Sequence, residues 1–473
     1  MKRTFLMAYQ NRNNRSNYND VEVEVGQQFK MTIKRMGING EGIGFYEHKL
    51  VFVTGAFTDE KVVAEVTKVY PNYIKAKAVK INRVSPDRVE PRDSYAGAVG
   101  GFELESLSYP AQLRFKRDLI KQALEKFQPQ GYKNFKIRST MGMENPYEYR
   151  NKAQFPVRMK DGKVIAGLFK EGTHDLVDLP ECSVQYPATM KVMRKIVEFI
   201  QELGIPVFDE SNNSGIIKTV IVRAALNTDD VQVVFVTNTP KFVKKGFMLK
   251  KIMMELPEVT SVMQNINPGD SPIIWGDKTV HLAGKDTIVE KIKGLSFELS
   301  ARAFLQLNSI MLPRLYEVAI SALELTGNEK IVDAYSGVGT IGLPLAKHAE
   351  EIRGMDIIPE AVEDANHNAI INKIRNAYYE VGKAEDLLPE WLEEGFKPDA
   401  IIVDPPRTGL DDKLIDAILK SAPEKFVYVS CNPSTMAADL VQLTRKYKVD
   451  FIQPIDMMPQ TPRCEAVVKF TRK

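Results

Sequence analysis

Two polar stretches in the C-terminal third of the chain directly follow apolar runs. Residues 404–407 (Asp-Pro-Pro-Arg) and residues 430–433 (Ser-Cys-Asn-Pro) each come after an uninterrupted apolar segment. Such segments predict buried strands, and the carboxyl ends of parallel strands meet at one edge of a sheet. We therefore predict that Asp404 and Cys431 face the same crevice. A thiol there could act as a nucleophile, although a lone cysteine at a strand end is more often a buried residue without chemistry.

A glycine-containing turn is predicted at the same edge of the sheet. The predicted strand 330–335 leads into residues 336–340 (Ser-Gly-Val-Gly-Thr), and a helical pattern begins at Ile341. This order places backbone N–H groups where doubly wound α/β folds bind nucleotides. The next strand, 351–356, ends at Asp356, whose carboxylate can accept hydrogen bonds from both ribose hydroxyls. Two cofactors fit this pattern, a nicotinamide dinucleotide and S-adenosylmethionine.

The Asp-Pro-Pro sequence at 404–406 discriminates between these cofactors. An oxidoreductase has no use for it at that strand end. In methyltransferases that act on amino groups, Asp-Pro-Pro is usually followed by an aromatic residue that stacks on the target base. Here Arg407 follows instead, which points away from methylation of an exocyclic nitrogen. The pattern favours a Rossmann-like, S-adenosylmethionine-dependent methyltransferase domain of α/β class.

The size and composition of the chain limit the number of domains, the cellular location and the kinds of site that can be expected. A chain of 473 residues exceeds one hydrophobic core, and two to four units are expected at roughly 100–200 residues each. No apolar run approaches the roughly 18 residues of a membrane helix, and the polar start does not resemble a signal peptide, so we expect a cytoplasmic protein without a membrane partner. The three cysteines, Cys182, Cys431 and Cys464, are far apart. Together with five unclustered histidines, they predict neither disulfides nor a metal site.

The net charge of +3 hides an uneven distribution. Residues 110–160 contain 12 Lys or Arg against 4 Asp or Glu, whereas residues 350–399 contain 5 against 13. A basic segment in a balanced chain is typical of a surface that binds a phosphate backbone. Two solvated helix faces of opposite sign would explain the same counts.

Glycine, proline and charge patterns divide the chain into four predicted parts. Residues 1–20 form a disordered basic tail. Residues 21–81 contain short alternating runs punctuated by glycines, which predicts a small OB-like β-barrel. Residues 82–295 comprise a connector and a central α/β domain that is a candidate for RNA binding, and residues 296–473 form the cofactor-binding domain.

Two basic elements in the middle of the chain are candidates for RNA contact. A helix is predicted from Pro110 to Phe127, with Ser108 placed to cap it. Residues 149–155 mix cations with aromatic side chains as an RNA-contacting strand would, and an ordinary exposed strand is equally consistent with them. The helix cations that could face RNA or water are Arg114, Lys116, Arg117 and Lys121.

Several stretches taken together resemble the RNA (uracil-5-)-methyltransferase family, which includes 23S ribosomal RNA enzymes and a tRNA enzyme. The resemblance covers nearly the whole chain. The barrel at 21–81 resembles a TRAM domain, which the ribosomal branch carries and the tRNA enzyme usually lacks. The matching stretches outside the barrel are 302–308, 333–340, 404–409, 430–434 and 462–467.

The resemblance implies a mechanism and a set of site residues. Cys431 is implied as the nucleophile that attacks carbon 6 of uracil, and Glu465 as the general base that removes the proton from carbon 5. Asp404 is implied both as a cofactor contact and as a neighbour of the target base. The implied S-adenosylmethionine contacts are Gln306, Tyr335, Asp356 and Asp404, with Gly337 and Gly339 shaping the loop.

The resemblance also implies the substrate. We expect 23S ribosomal RNA as the RNA partner, with 5-methyluridine as the product, a role in rRNA processing, and a monomer without an obligate protein partner. Two alternatives stay open: the same chemistry on tRNA, and an RNA-binding assembly factor without turnover.

One departure from the family concerns a metal cluster. Many ribosomal members hold a [4Fe–4S] cluster through four cysteines, whereas the three connector positions here are Asp93, Val99 and Phe102, and only Cys182 matches. One thiolate cannot hold such a cluster, so none is predicted, and Val99 and Phe102 should hold the connector by packing. This resembles the cluster-free Gram-positive type, which modifies two uridines.

Overall fold

The computed structural model describes residues 22–270 and 273–473, which form three sheets and a separate hairpin. The predicted tail at 1–20 lies outside these residues. No helix within them has the length and apolar character needed to cross a membrane.

The first sheet is a six-stranded barrel-like unit with strand order β1-β5-β6-β4-β3-β2. Alternate residues of its strands point inward and form a core of their own. Gly42 and Gly44 let strands approach closely, since an added Cβ would lie 2.8 Å from the carbonyl oxygen of Ala56 and 2.5 Å from that of Thr32, respectively. The strands are β1 (Gln28–Thr32), β2 (Arg35–Met36), β3 (Gly42–Tyr46), β4 (Lys49–Thr54), β5 (Lys61–Val69) and β6 (Tyr73–Arg83).

The second sheet has seven strands; one helix packs on it, and a second helix packs on the first. Its strand order is β13-β12-β11-β10-β7-β8-β9. The strands are β7 (Lys152–Lys160), β8 (Lys163–Phe169), β9 (Leu176–Asp178), β10 (Ile217–Ala224), β11 (Val231–Thr237), β12 (Val259–Ile266) and β13 (Lys278–Gly284), and the helices are α2 (Pro187–Leu203) and α3 (Lys245–Glu255). A hairpin, β14 (Ile288–Ile292) and β15 (Leu295–Leu299), follows this sheet.

The third sheet also has seven strands, in the order β18-β17-β16-β19-β20-β22-β21, with only β22 antiparallel to its neighbours. The strand order reverses between β16 and β19, which is where doubly wound folds bind ligands. The strands are β16 (Lys330–Ala334), β17 (Glu351–Asp356), β18 (Ala377–Val381), β19 (Ala400–Val403), β20 (Lys425–Ser430), β21 (Tyr447–Ile455) and β22 (Glu465–Arg472). The helices are α4 (Leu312–Leu323), α5 (Gly342–Leu345), α6 (Pro359–Ile371), α7 (Ala384–Glu393), α8 (Asp412–Ser421) and α9 (Pro433–Leu443).

Helix α1 (Tyr109–Phe127) packs against α9, so it shares a core with the third sheet. The sequence pattern instead predicts that this segment belongs to the central domain, within residues 82–295. The proposed division at residue 295 also falls inside the β14–β15 hairpin, and β15 packs against α6. We therefore propose that α1 and the hairpin be counted with the third sheet.

Two predictions about α1 are wrong. Lys116 faces neither RNA nor water, because its side chain is fully buried and donates to the carboxylate of Asp456. Ser108 does not cap the helix through its side chain, since its hydroxyl donates to the carboxylate of Asp87 at 3.3 Å. Arg114 and Lys121 are exposed, which is required both for contact with RNA and for a face turned to water.

Candidate active site

The carboxyl ends of three parallel strands lie side by side at the centre of the third sheet. Asp404 directly follows β19, and its N–H donates to the carbonyl oxygen of Ala334, the last residue of β16, at 3.2 Å. Cys431 directly follows β20, with its Sγ 3.8 Å from the carbonyl oxygen of Pro405. The structure thus brings Asp404 and Cys431 to one edge, as the sequence pattern predicts.

Glu465 reaches the same edge from the opposite chain direction. It is the first residue of β22, which runs antiparallel to β20, and the last pair of that ladder joins Ser430 to Ala466. The next facing positions are occupied by Cys431 and Glu465. The Glu465 side chain is buried, and its Oε2 has no hydrogen-bond partner. Cys431 is half-buried, so this pair combines a partly accessible thiol with a buried carboxyl group.

The acidic groups of this cluster all resist ionisation. Burial raises the pKa of Glu465 well above its usual range, and the Asp404 carboxylate adds to the effect, whereas Arg407 and Lys116 oppose it. Burial raises the pKa of Asp404 to about 7. Burial, followed by Glu465 and Asp404, raises the pKa of the Cys431 thiol to about 12, and Arg407 opposes this shift. A positively charged group that binds at this edge of the sheet would therefore stabilise the ionised forms of Glu465, Asp404 and Cys431.

The predicted cofactor loop joins β16 to α5. Gly337 and Gly339 have φ values of 53° and 81°, and Tyr335 adopts the left-handed region as well, with φ 64°. A non-glycine residue in this region is strained, and such strain concentrates at functional sites. The Gly337 N–H donates to Asp356 at 3.0 Å, which holds the loop against the end of β17.

Asp356 and Gln306 lie on either side of this loop in the sequence. Asp356 accepts one bond from Gly337 and a second from the N–H of Ile358 at 2.9 Å, so each of its oxygens retains capacity for a further donor. Gln306 lies in the segment before α4, and its carbonyl oxygen accepts from the side chain of Asn151 at 3.0 Å. Hydrogen bonds thus hold Gln306 next to the second sheet and Asp356 against the loop.

The position of Asp333 beneath the loop was not predicted from the sequence. Burial raises the pKa of this carboxyl group to about 8, and its Oδ2 has no hydrogen-bond partner. An added Cβ on Gly342 would lie 2.5 Å from Oδ2, so the first turn of α5 rests directly on Asp333. The Ser336 hydroxyl is also buried without a partner. An acidic residue inside the apolar strand β16 was the available signal. These unpaired polar atoms suit a loop that binds a polar cofactor.

Lys116 and Asp456 form a buried ion pair behind Glu465. The Lys116 ammonium also donates to the carbonyl oxygen of Met458 at 2.8 Å, so α1 holds the segment that leads from β21 to Glu465. The helical spacing offered a signal for this burial. Lys116 lies on the same face of α1 as Leu119, Ile120 and Ala123, which are all buried.

The four positions that correspond to cluster ligands are filled by groups that pack together. Val99, Phe102 and Cys182 are buried in one apolar core, which agrees with the predicted packing of the connector. The Asp93 carboxylate accepts from the N–H and the hydroxyl of Ser183. Burial, followed by Asp93, raises the pKa of Cys182 to about 12. One protonated thiol, one carboxylate and two apolar side chains do not fit an iron–sulfur cluster.

A cavity of about 830 Å³ lies between the second sheet and the active-site edge. Arg407 and Arg463 line it from the third sheet, together with Thr461. From the second sheet it is lined by residues of β7, β8, β10 and β11. A flipped-out nucleotide and part of its strand could occupy a cavity of this size.

Comparison with known families and relatives assigns the chain. The family model described as tRNA (Uracil-5-)-methyltransferase matches residues 281–473, and the TRAM domain model matches residues 22–79. An RNA methyltransferase of Lactiplantibacillus plantarum is 64% identical over 95% of this chain and 94% of its own length. An RNA methyltransferase of Enterococcus faecalis is 52% identical over 95% of this chain and 99% of its own length.

A solved structure extends the likeness to three dimensions. The Pyrococcus abyssi tRNA (uracil-54, C5)-methyltransferase in complex with S-adenosyl-L-homocysteine has a TM-score of 0.75 and 27% identity, and the match covers 94% of this chain and all of that one. The Rossmann-like fold class and the family inferred from the sequence are thereby confirmed. The chain belongs to the family of S-adenosylmethionine-dependent RNA (uracil-5-)-methyltransferases and carries an N-terminal TRAM domain.

Proposed function

We propose that this enzyme methylates carbon 5 of uridine in 23S ribosomal RNA through a covalent bond between Cys431 and carbon 6. The observation that carries the proposal is the facing position of Cys431 and Glu465 at the ends of β20 and β22. A nucleophile and a base on two adjacent strand ends can act on neighbouring atoms of one flat ring.

The chemistry needs both residues because carbon 5 of uracil is a weak nucleophile. The Cys431 thiolate forms a bond to carbon 6, the ring double bond opens, and its electron pair moves to carbon 5 and the carbon 4 oxygen. S-adenosylmethionine, when bound, supplies the electrophilic methyl group. Glu465 then accepts the proton from carbon 5, the ring double bond re-forms, and Cys431 leaves as the thiolate.

The electrostatics of the site suit these roles. Arg407 lowers the pKa of both Cys431 and Glu465, so it favours the thiolate and the carboxylate over their protonated forms. A carboxylate whose pKa lies well above its usual range is a strong proton acceptor once it is ionised. We propose that Arg407 supplies the charge compensation that the buried acidic cluster needs.

The same proposal assigns the cofactor contacts. Gln306, Tyr335, Asp356 and Asp404 would hold S-adenosylmethionine, and Gly337 and Gly339 would allow the loop to approach it. The free acceptor capacity of Asp356 and the unpaired Ser336 hydroxyl support this assignment. The relative from Pyrococcus abyssi binds the demethylated cofactor product.

The choice of ribosomal RNA rests on the resemblance to the cluster-free ribosomal enzymes, which would also imply two target uridines. The TRAM domain supports an RNA substrate of either kind, because the match to the solved tRNA enzyme extends over most of it. A tRNA is the second candidate, because the name of the solved relative specifies tRNA and its match covers 94% of this chain. With either RNA we place the activity in the cytoplasm, where the substrate is found.

Side-by-side methylation tests the substrate. Wild-type enzyme and Cys431→Ala are incubated with labelled S-adenosylmethionine and with 23S fragments or tRNA transcripts, and the modified nucleotide is identified by mass spectrometry. We expect 5-methyluridine in 23S RNA, at two positions, and none with Cys431→Ala. Methylation of tRNA alone would show that tRNA, and not 23S RNA, is the substrate. Binding without methylation of either RNA would favour an assembly factor.

A further inference from the structure

The floor of the large cavity presents a row of polar side chains from one strand. Alternate residues of β7 face the cavity, while Ala153, Phe155 and Val157 point into the core of the second sheet. The cavity-facing residues at its two ends are Lys152 and Arg158. Arg150, two residues before β7 in the phase of Lys152, lines the cavity as well.

Two of the cations in this cavity are fully engaged by the protein. The Arg158 guanidinium donates to Glu210 and, at 3.0 Å, to the carbonyl oxygen of Lys218. The Lys218 ammonium donates to the carbonyl oxygens of Asn267 at 3.1 Å and Gly269 at 2.6 Å. The Arg158 charge is therefore paired with a carboxylate, and the Lys218 ammonium is held by two carbonyl oxygens, without a ligand.

Arg150 and Lys152 differ from this pair. The Nε of Arg150 is buried and has no hydrogen-bond partner, and across residues 22–270 and 273–473 no carboxylate lies within ion-pair distance of Arg150 or Lys152. Burial, followed by Arg223 and Arg150, lowers the pKa of Lys152 to about 7. Arg223 faces Lys152 across β7 and β10 and donates to the carbonyl oxygen of Ala303 at 2.6 Å. Three cations thus converge, and the Asp364 carboxylate stabilises the charge of only one of them, Arg223. The charges of Arg150 and Lys152 are left without an acidic partner, which costs stability unless an anion binds there.

The position of this cluster links it to the active site. Arg150 bridges to Asn308, and Asn151 bonds to the backbone of Leu307 at 2.8 Å and of Gln306 at 3.0 Å. The two cations therefore lie beside the segment of the proposed cofactor contact Gln306. They also line the same cavity as Arg407, whose positive charge lowers the pKa of Cys431 and of Glu465.

We propose that Arg150 and Lys152 form a subsite for a backbone phosphate of the substrate RNA, next to the uridine that enters the active site. This inference rests on the proposed function, because it takes the cavity as the path of the RNA strand. A phosphodiester supplies the anionic oxygens that both side chains lack, with the Arg150 fork and the Lys152 ammonium as complementary donors. Anchoring one phosphate would fix the flipped nucleotide over Cys431.

The first test compares three variants of the full-length enzyme. Lys152→Met and Arg150→Met remove the unpaired cations, and Lys160→Met removes an exposed cation at the far end of β7 as the matched control. Thermal denaturation should show Lys152→Met melting no lower than wild type, because a buried cation without a partner is lost. RNA affinity at low salt should fall about tenfold for Lys152→Met and Arg150→Met, and the slope of log K against log salt should flatten by about 0.7 for each. Lys160→Met should match wild type.

The second test identifies the phosphate. RNA fragments that carry a single uncharged methylphosphonate linkage, moved one position at a time along the strand, are bound to wild type and to Lys152→Met. We expect one linkage near the target uridine that weakens wild-type binding about tenfold and leaves Lys152→Met binding unchanged. Equal losses for both proteins at every linkage, with wild-type salt slopes for both variants, would overturn the subsite.

The two tests separate this inference from the proposed function. The scan uses the RNA that wild type methylates, whether ribosomal or transfer RNA, and Cys431→Ala serves as a binding-competent enzyme without the nucleophile. A phosphate effect that disappears in Lys152→Met supports the subsite even if no Cys431 adduct forms. An adduct at Cys431 without such a phosphate effect would support the covalent mechanism and contradict the subsite.

Discussion

Cys431 and Glu465 occupy facing positions at the ends of two adjacent antiparallel strands, one residue beyond the Ser430–Ala466 pair. This arrangement depends on the single reversal of chain direction in the third sheet. The strands β16 to β20 all run parallel, so each of them presents only its carboxyl end to the active-site edge of the sheet. Strand β22 presents its amino end there, which is why a residue 34 positions later in the chain stands opposite the cysteine.

Replacing the proposed base should stall the reaction after methyl transfer. In Glu465→Gln the carbon 5 proton has no acceptor, so elimination of Cys431 slows and a methylated enzyme–RNA adduct accumulates on unmodified substrate. Turnover should fall by about 10²–10⁴-fold. Denaturing gels detect the adduct, and the double variant Cys431→Ala/Glu465→Gln is the control that should form none. A Glu465→Gln enzyme with wild-type turnover would contradict the assignment.

The buried ion pair behind the site should carry substantial stability. Lys116→Met leaves the Asp456 carboxylate buried without its partner, and the free energy of unfolding should fall by about 3–5 kcal/mol in urea denaturation. Lys121→Met removes an exposed cation from the same helix and should leave the denaturation midpoint unchanged. Adding Asp456→Leu to Lys116→Met should recover part of the loss. Equal midpoints for Lys116→Met and Lys121→Met would show that the pair does not hold α1.

Asp404 should make the free enzyme less stable as the pH rises. Its pKa is about 7 in the folded protein against 3.8 when unperturbed, so between these values the folded state holds a proton that the unfolded chain has released. The stability from Asp404 is therefore fully present below about pH 4 and is lost as the pH rises through 7. Asp404→Asn cannot ionise, and its free energy of unfolding should exceed that of wild type by about 2–4 kcal/mol at pH 7 and match it near pH 4.

Denaturation at a series of pH values measures this difference. The control Asp416→Asn removes an exposed carboxylate on α8 and should follow the wild-type curve. A constant difference between Asp404→Asn and wild type across the whole range would contradict the assignment to Asp404. Asp404→Asn should also lose methyl transfer, since Asp404 is a proposed contact of the cofactor.

The connector should be independent of iron. Protein purified without oxygen should contain no stoichiometric iron, and a chelator should leave its melting temperature unchanged. Phe102→Ala should instead lower the free energy of unfolding by about 3–5 kcal/mol, because the Phe102 ring fills the core that surrounds Cys182. Loss of stability on chelation would contradict this account of the connector.

The strand ends were predictable from the sequence because an apolar run indicates a buried strand, and the polar residues after it indicate where that strand ends. Asp404, Cys431 and the Gly337–Gly339 turn lie where that pattern indicates. Lys116 was misread because a count of charges ignores which face of a helix each cation occupies. The raised pKa values of Asp404 and Glu465 were not predictable either, since they depend on burial by strands distant in the chain. Association of α1 with α9 likewise joins residues more than 300 positions apart, beyond the reach of any local pattern.

The most direct test of the account is covalent trapping with 5-fluorouridine. Fluorine at carbon 5 cannot leave as a proton, so elimination of Cys431 stalls after methyl transfer. Enzyme and S-adenosylmethionine are incubated with 5-fluorouridine-substituted 23S fragments and tRNA, and denaturation-resistant adducts are measured by gel and mass spectrometry. We predict an adduct on 23S RNA that requires both Cys431 and the cofactor. An adduct that persists in Cys431→Ala, or none on any RNA under conditions where wild type binds, would contradict the thiolate mechanism.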